Sequence, residues 1–107
     1  MAKYLLLYRG PASDQSSMSA EQQAEMMDAW TAWMGKVATS ITDQGNPFGN
    51  RTAVSDNGGS TTPADLNGYT IVEAESLAAA EALTDGHPFL SEGKGRFAID
   101  IFELATM

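Results

Sequence analysis

His87 is the only histidine in the sequence, and so the only side chain whose ordinary titration falls near neutrality. It stands between Gly86 and Pro88, just past an Ala-rich stretch with helical spacing. At a helix C-terminus the dipole favours an imidazolium, which would raise the pKa and suit the ring to donate a proton or hold an oxyanion. The same position suits a plain capping and packing residue. Asp100 interrupts a run that is otherwise apolar from Phe97 to Phe102. Buried, its carboxyl would titrate high and act as acid or base; on a wet face it would only aid solubility. His87 and Asp100 are the catalytic candidates.

A second group could hold a ligand. Tyr8, Arg9, Tyr69, Lys94 and Arg96 all fall at the ends of apolar segments. Gathered at one end of a sheet, they would give aromatic walls and cationic groups fit to orient a small anionic or phenolic molecule. Ordinary solvated strand ends, with the arginines paired to nearby acids, would look the same in sequence. Trp30 and Trp33 could stack on a planar ligand, but their spacing also matches a core stripe, more firmly for Trp30 than for Trp33. The chain has no cysteine and one histidine, so thiolate and multi-histidine metal sites, disulfides and cysteine nucleophiles are excluded. No cofactor motif is present. Gly93-Lys94-Gly95 lacks the strand and helix of a phosphate loop, and Asp56-Asn57-Gly58-Gly59 is too short for a calcium loop. Asn50-Arg51-Thr52 is a glycosylation sequon without a signal peptide to give it meaning.

The elements that must position these residues can be read in order. Lys3 to Arg9 is a short apolar strand closed by Gly10-Pro11, and a polar loop over 11–18 follows. Ser19 and Gln22 have the spacing of a capping box. Behind them Met27, Trp30, Met34, Val37 and Ile41 recur at three and four residues, predicting a helix that runs to a left-handed cap at Gly45 before Pro47. Met26 widens the stripe. Residues 51–55 read as a second strand, and Gly68 to Ala74 as a third with clear alternation. Ser76 caps a short helix through Leu83 that buries Leu77, Ala80 and Leu83. Arg96 to Leu104 is the fourth strand.

The order β-α-β-β-α-β fits one domain over residues 1–107: a ferredoxin-like α+β fold, an antiparallel sheet with both helices on one face. Right-handed crossovers place the strands 4-1-3-2. The first and fourth strands are apolar on both faces, whereas a sheet with one wet face alternates apolar and polar residues. Two helices cover one face only. The other face therefore calls for a partner, most simply a second copy about a two-fold axis, forming a homodimer through the sheet face.

Fourteen acidic against six basic residues give a net charge of -8, which repels phosphate backbones and anionic lipid. Nucleic-acid and membrane-surface partners are not expected. The run from Tyr4 to Tyr8 is too short for a signal peptide or a membrane span. With no cysteine to oxidise, the composition fits a reducing, cytoplasmic setting.

Several short segments, in this order, resemble the YCII-related family. They are Lys3-Tyr4-Leu5-Leu6-Leu7-Tyr8, Gly45-Asn46-Pro47, Gly68-Tyr69, Glu75-Ser76-Leu77-Ala78-Ala79-Ala80 and Gly86-His87-Pro88-Phe89-Leu90. The resemblance spans nearly the whole chain and implies a ferredoxin-like dimeric α+β barrel. Members of the family are proposed as small-molecule enzymes acting through a His and Asp pair. This sequence departs from that pattern, because its long helix carries no histidine and His87 stands where many members have Asp before Pro. A dyad here would have to be rebuilt from His87 and another acid. The resulting expectation is a homodimeric small-molecule-binding protein with a pocket near His87. The alternative is a cofactor-free enzyme doing acid/base chemistry on a small aromatic or anionic metabolite, with His87 as acid/base, Arg9 and Arg96 orienting anionic groups and Tyr69 lining the wall.

Overall fold

The computed structural model describes residues 1–10, 19–91, 93 and 95–105. The expected loop over 11–18, Lys94, and with it the centre of Gly93-Lys94-Gly95, lie outside the described residues. A four-stranded antiparallel sheet forms the base of the fold. Its strands are β1 (Ala2–Arg9), β2 (Ile41–Asp43), β5 (Leu66–Ala74) and β6 (Ala98–Glu103), in the order β2-β5-β1-β6. Two helices, α1 (Ala20–Lys36) and α2 (Leu77–Ala82), cover one face. A separate hairpin of β3 (Ala53–Val54) and β4 (Ser60–Thr61) stands outside that sheet. This is the ferredoxin-like α+β arrangement, with the order expected for its strands.

The strand in second place is not the one expected. Residues 53–54 pair with 60–61 across the Asp56-Asn57-Gly58-Gly59 turn, while Ile41–Asp43 joins the main sheet beside β5. Helix α1 accordingly ends at Lys36, with Val37 as its C-cap and one 3-10 turn over Ala38–Ser40. The apolar spacing that carries the helix stripe on to Ile41 fits a β-branched strand equally well, because Ile41 packs against the same core from the sheet side. Gly45 is left-handed, with φ of 73°, but it turns the chain after β2 rather than capping a helix.

The capping box is formed as expected. Ser19 Oγ accepts the Gln22 N–H at 3.1 Å, and the Gln22 side chain accepts the Ser19 N–H at 2.9 Å. Ser76 Oγ likewise accepts the Ala79 N–H and starts α2.

The core lies between helices and sheet. Tyr4, Leu6 and Tyr8 of β1, with Val72 and Ala74 of β5, meet Trp33, Val37 and Ala80. Three assignments on the helix stripes differ from expectation. Met27 is 70% exposed, and Trp33 is buried while Trp30 is only half-buried. The Trp33 indole N–H donates to the Leu83 carbonyl at 2.8 Å, a partner that exists only once α2 has docked. Leu77, at the first position of α2, is 54% exposed rather than buried. Register settles the faces: Tyr8 opposes Ile99 and Leu6 opposes Ile101, both on the helix side. Leu5, Leu7, Tyr69, Ile71, Asp100 and Phe102 therefore share the opposite face with Arg9.

Candidate functional site

The end of β1, the middle of β5 and the turn after α2 converge on His87. The residue is 2% exposed. Its backbone follows the last turn of α2, with the His87 N–H donating to the Thr84 carbonyl. The ring then folds back on the next turn, Pro88–Leu90, where Nδ1 accepts the Phe89 N–H at 3.0 Å. A nitrogen that accepts from a backbone amide carries no proton, so in the neutral ring the proton sits on Nε2. Nε2 lies 3.0 Å from the Tyr8 hydroxyl and donates to it.

The same reasoning fixes the rest of the chain of bonds. Thr70 Oγ1 donates to the Gln44 carbonyl at 3.1 Å, so its single proton is used. Tyr8, 2.7 Å from Thr70 Oγ1, must then donate to Thr70. Protons thus point one way throughout: His87 to Tyr8, Tyr8 to Thr70, Thr70 to Gln44.

Aromatic rings enclose this chain. The Trp33 and Trp30 centroids lie 4.1 and 4.7 Å from the His87 ring, and Tyr8 lies 5.1 Å away. Phe89 packs 5.0 Å from Tyr8 and 5.2 Å from Phe97. Burial holds the His87 pKa down at about 4, so the imidazole is neutral at pH 7. This overturns the expectation of a raised pKa: the cost of burying the imidazolium outweighs the pull of the helix end. Burial also pushes the Tyr8 hydroxyl up to about 12, against a smaller opposing effect of its bond to Thr70.

The remaining candidates divide between the two faces of the sheet. Arg9 and Asp100 form a bidentate ion pair on the open face, Nε to Oδ2 at 3.0 Å and Nη2 to Oδ1 at 3.1 Å. Arg9 is held more firmly protonated by that bond. Tyr69 is on the same face, stacked with Phe48 at 6.0 Å. The Arg96 guanidinium lies 5.5 Å from the Phe97 ring, in the approach to β6. The structure therefore brings His87, Tyr8 and Trp33 together on one side of the sheet and pairs Arg9 with Asp100 on the other, a face that Tyr69 shares from across β1 without joining the pair. His87 and Asp100 do not meet. Thr70 and Phe89 were not among the candidates. The signal for Thr70 was available, since it is the one polar side chain in phase with Val72 and Ala74.

Beside His87 the surface dips into an open depression of about 660 Å³ between α2 and the turn that follows it. Ala78, Ala82 and Leu90 give its lining apolar surface, and Glu81, Thr84 and Asp85 add polar groups to it. Among the described residues no three His, Cys, Asp or Glu side chains are placed to share a metal ion. No described helix is long and apolar enough to cross a membrane.

The model of the YCII-related domain matches residues 1–103. The chain belongs to the YCII-related family. No functionally curated protein matches the sequence. Among solved structures, this YCII-related chain is similar to 5-chloro-2-hydroxyhydroquinone dehydrochlorinase (TftG) from Burkholderia phenoliruptrix, in complex with 2,5-dihydroxybenzoquinone. The likeness has a TM-score of 0.57 at 20% identity and covers 97% of this chain and 95% of that one. At that identity it establishes a shared fold, and the chemistry of this YCII-related protein has to be argued from its own residues.

Proposed function

We propose that this protein is a homodimer that binds a small hydroxylated ring, one per subunit, in the depression beside His87. The observation that carries this reading is the depression itself. Its volume lies in the ordinary range for small-ligand sites, and its lining pairs apolar side chains with a few hydroxyl and carboxylate groups. Glu81 and Asp85 repel anions and accept hydrogen bonds, so they favour a neutral phenol or hydroquinone over a carboxylate. The fold neighbour was solved with 2,5-dihydroxybenzoquinone, also a small oxygenated ring.

Binding is favoured over proton transfer because both His87 nitrogens are already engaged, Nδ1 by a backbone amide and Nε2 by Tyr8. A ring in that state has no free lone pair with which to take a proton. Asp100 is on the far side of the sheet and paired with Arg9, so it does not serve as His87's partner.

The open sheet face supports the homodimer. Leu5, Leu7 and Ile71 lie half-buried on a face that no described helix covers, and Phe102 is 52% exposed there. The molecule is a slab 23 Å thick, which matches one sheet and one layer of helices. A second copy packed on that face leaves both depressions open, because they are on the helix side. The composition fits a reducing, cytoplasmic setting for such a protein.

The test is a calorimetric titration at pH 7 with hydroquinone and with phenol, both uncharged there, on the wild type and on Ala82→Phe. The exposed Ala82 position tolerates a larger side chain, which would fill part of the depression. Saturable binding that weakens at least about tenfold in the variant supports the site, a loss of ~1.4 kcal/mol. Absence of binding by either ring, or equal binding by both proteins, overturns it.

A further inference from the structure

Glycine follows two of the chain's four asparagines, in Asn57-Gly58 and Asn67-Gly68. Of the others, Asn46 precedes Pro47, which has no N–H, and Asn50 precedes the bulky Arg51. The backbone nitrogen after an asparagine can attack its side-chain amide, and glycine, lacking a Cβ, obstructs that attack least. In sequence the two pairs are equivalent. Their settings in the fold are not.

Asn67-Gly68 is built into the sheet. Gly68 is buried, pairs with Tyr8 of β1 on one side and bridges Pro47 on the other. The Asn67 side-chain amide donates to the Gly10 carbonyl at 3.2 Å, and the Asn67 carbonyl accepts the Phe48 N–H at 2.9 Å. Turning the Gly68 nitrogen onto the Asn67 side chain would break these contacts together.

Asn57-Gly58 is exposed at the tip of the β3–β4 hairpin, outside the main sheet. Ser55 N–H donates to the Gly59 carbonyl and Gly58 N–H to the Ser55 carbonyl, closing a tight loop with a left-handed glycine at φ 86°. The Gly58 bond must open before its nitrogen can attack. Only the pairs Ala53 with Thr61 and Val54 with Ser60 hold the hairpin, so that local opening is easy. Asn57 Oδ1 accepts two hydrogen bonds, from the Gly59 N–H at 2.9 Å and from the Ser55 hydroxyl. Attack at Cγ puts negative charge on this oxygen, so both donors stand where an oxyanion develops.

We propose that Asn57 is a self-modification site, closing onto Gly58 as a succinimide and opening to aspartate and isoaspartate, while the sheet keeps Asn67 intact. Base in the solvent removes the Gly58 N–H proton, and the nitrogen forms a bond to Asn57 Cγ. The tetrahedral intermediate then breaks its bond from Cγ to Nδ2, which takes a proton from water and leaves as ammonia. Water adds to the ring at one of two carbonyls. Opening at Cγ leaves aspartate; opening at the backbone carbonyl leaves isoaspartate, with the main chain running through the former side chain. Either product adds one negative charge to a chain that already carries -8.

For the test, folded protein and a urea-unfolded sample are aged in mildly alkaline buffer, and fragmentation mass spectrometry locates the mass gain of deamidation. Both sites fall in one tryptic peptide, between Arg51 and Lys94, so the fragments must separate them. In the unfolded chain the two asparagines should convert at similar rates. In the folded protein Asn57 should convert at least about tenfold faster than Asn67, because its opening is local and that of Asn67 requires the sheet to part. Ser55→Ala, in an exposed turn, should slow Asn57 several-fold in the folded protein and leave its unfolded rate unchanged. Ser55→Thr, which keeps the hydroxyl, should retain the wild-type rate. An Asn57 that stays intact when folded while the unfolded chain converts overturns the proposal. So does an Asn67 that keeps pace with it in the folded protein, or a Ser55→Ala rate equal to the wild type.

Discussion

His87 Nε2 lies 3.0 Å from the Tyr8 hydroxyl, and this one contact joins the turn after α2 to β1. The two residues are separated by 79 positions in sequence. Around them the protein has buried three polar side chains, His87, Tyr8 and Thr70, and left none of their polar atoms unpaired. That arrangement is stable because each proton has one acceptor and the run ends on a backbone carbonyl. It also explains why His87 is a poor proton shuttle: moving its proton would require every bond in the series to reverse.

Removing the middle of that series should be costly. Tyr8→Phe preserves the ring packing against Trp30, His87 and Phe89, but it deprives His87 Nε2–H of its acceptor. A buried donor without a partner costs about 1–3 kcal/mol. Urea denaturation should show a loss in that range, with His87 ring nitrogen shifts that depart from the single-tautomer pattern of the wild type. A Tyr8→Phe protein as stable as the parent, with an unchanged His87 spectrum, would falsify the series of bonds.

The pH dependence follows from the low pKa of His87. Its folded value of about 4 is below the unfolded value of 6.5, so between those pH values the unfolded chain binds the extra proton. Stability from the neutral buried ring is complete above about pH 6.5 and is lost as the pH falls towards 4, up to about 3 kcal/mol in all. Denaturant midpoints measured from pH 7.5 to 4 should therefore fall more steeply in the wild type than in His87→Gln. The difference between the two curves isolates the histidine from the carboxylates. Parallel curves, or a ring that titrates near 6.5 by NMR in the folded protein, would contradict the assignment.

Much of the fold was legible because its signals are local. The Ser19–Gln22 capping box, the Ser76 cap and the alternation of β5 each depend on a few adjacent residues, and each forms as read. The extent of α1 was not legible, because Val37 and Ile41 have helical spacing whether the last of them ends a helix or opens a strand. What decides is the seat beside β5, a tertiary contact. The depth of Trp33 was hidden for the same reason, since the Leu83 carbonyl that accepts its N–H arrives with α2. The division of the candidate site between two faces, by contrast, was written in the sequence. Tyr8 and Arg9 are neighbours in one strand, as are Tyr69 and Thr70, and neighbours in a strand point to opposite sides. Position along a strand does not fix which side of the sheet a residue faces; the alternation does.

Gly45 and Gly58 offer a contrast between backbone and packing. Both are left-handed, with φ of 73° and 86°. A Cβ at Gly58 meets nothing within 4 Å, whereas at Gly45 it would clash with the Tyr69 carbonyl oxygen. Gly58→Ala should thus cost only the ~1–2 kcal/mol of forcing a side chain into that conformation. Gly45→Ala should cost well beyond that, because β2 and β5 must separate to admit it. Equal melting temperatures for the two variants would show that the turn at Gly45 can relax away from β5.

The open sheet face gives the test of assembly. Phe102 opposes Leu5 in register, is 52% exposed in the single chain, and is on the face where a second copy would pack. If that face is wet, Phe102→Lys is a surface change within about ±0.5 kcal/mol and the wild type sediments as a monomer of 11.4 kDa. If the face is the dimer interface, the wild type sediments at twice that mass and the variant falls to the monomer, since the new ammonium would be buried against apolar side chains without a partner. Arg9 and Asp100 supply an independent reading of the same question. Exposed, their pair contributes little and is screened by salt; covered by a second copy, it becomes sensitive to the loss of either partner, because the remaining charge is stranded in an apolar interface. We expect the dimer, with Arg9→Ala shifting the equilibrium to monomer at low micromolar protein and the Arg9→Ala, Asp100→Ala double variant recovering part of the association. A double variant no better than the single would mean that the ion pair stays in water and the sheet faces do not meet there.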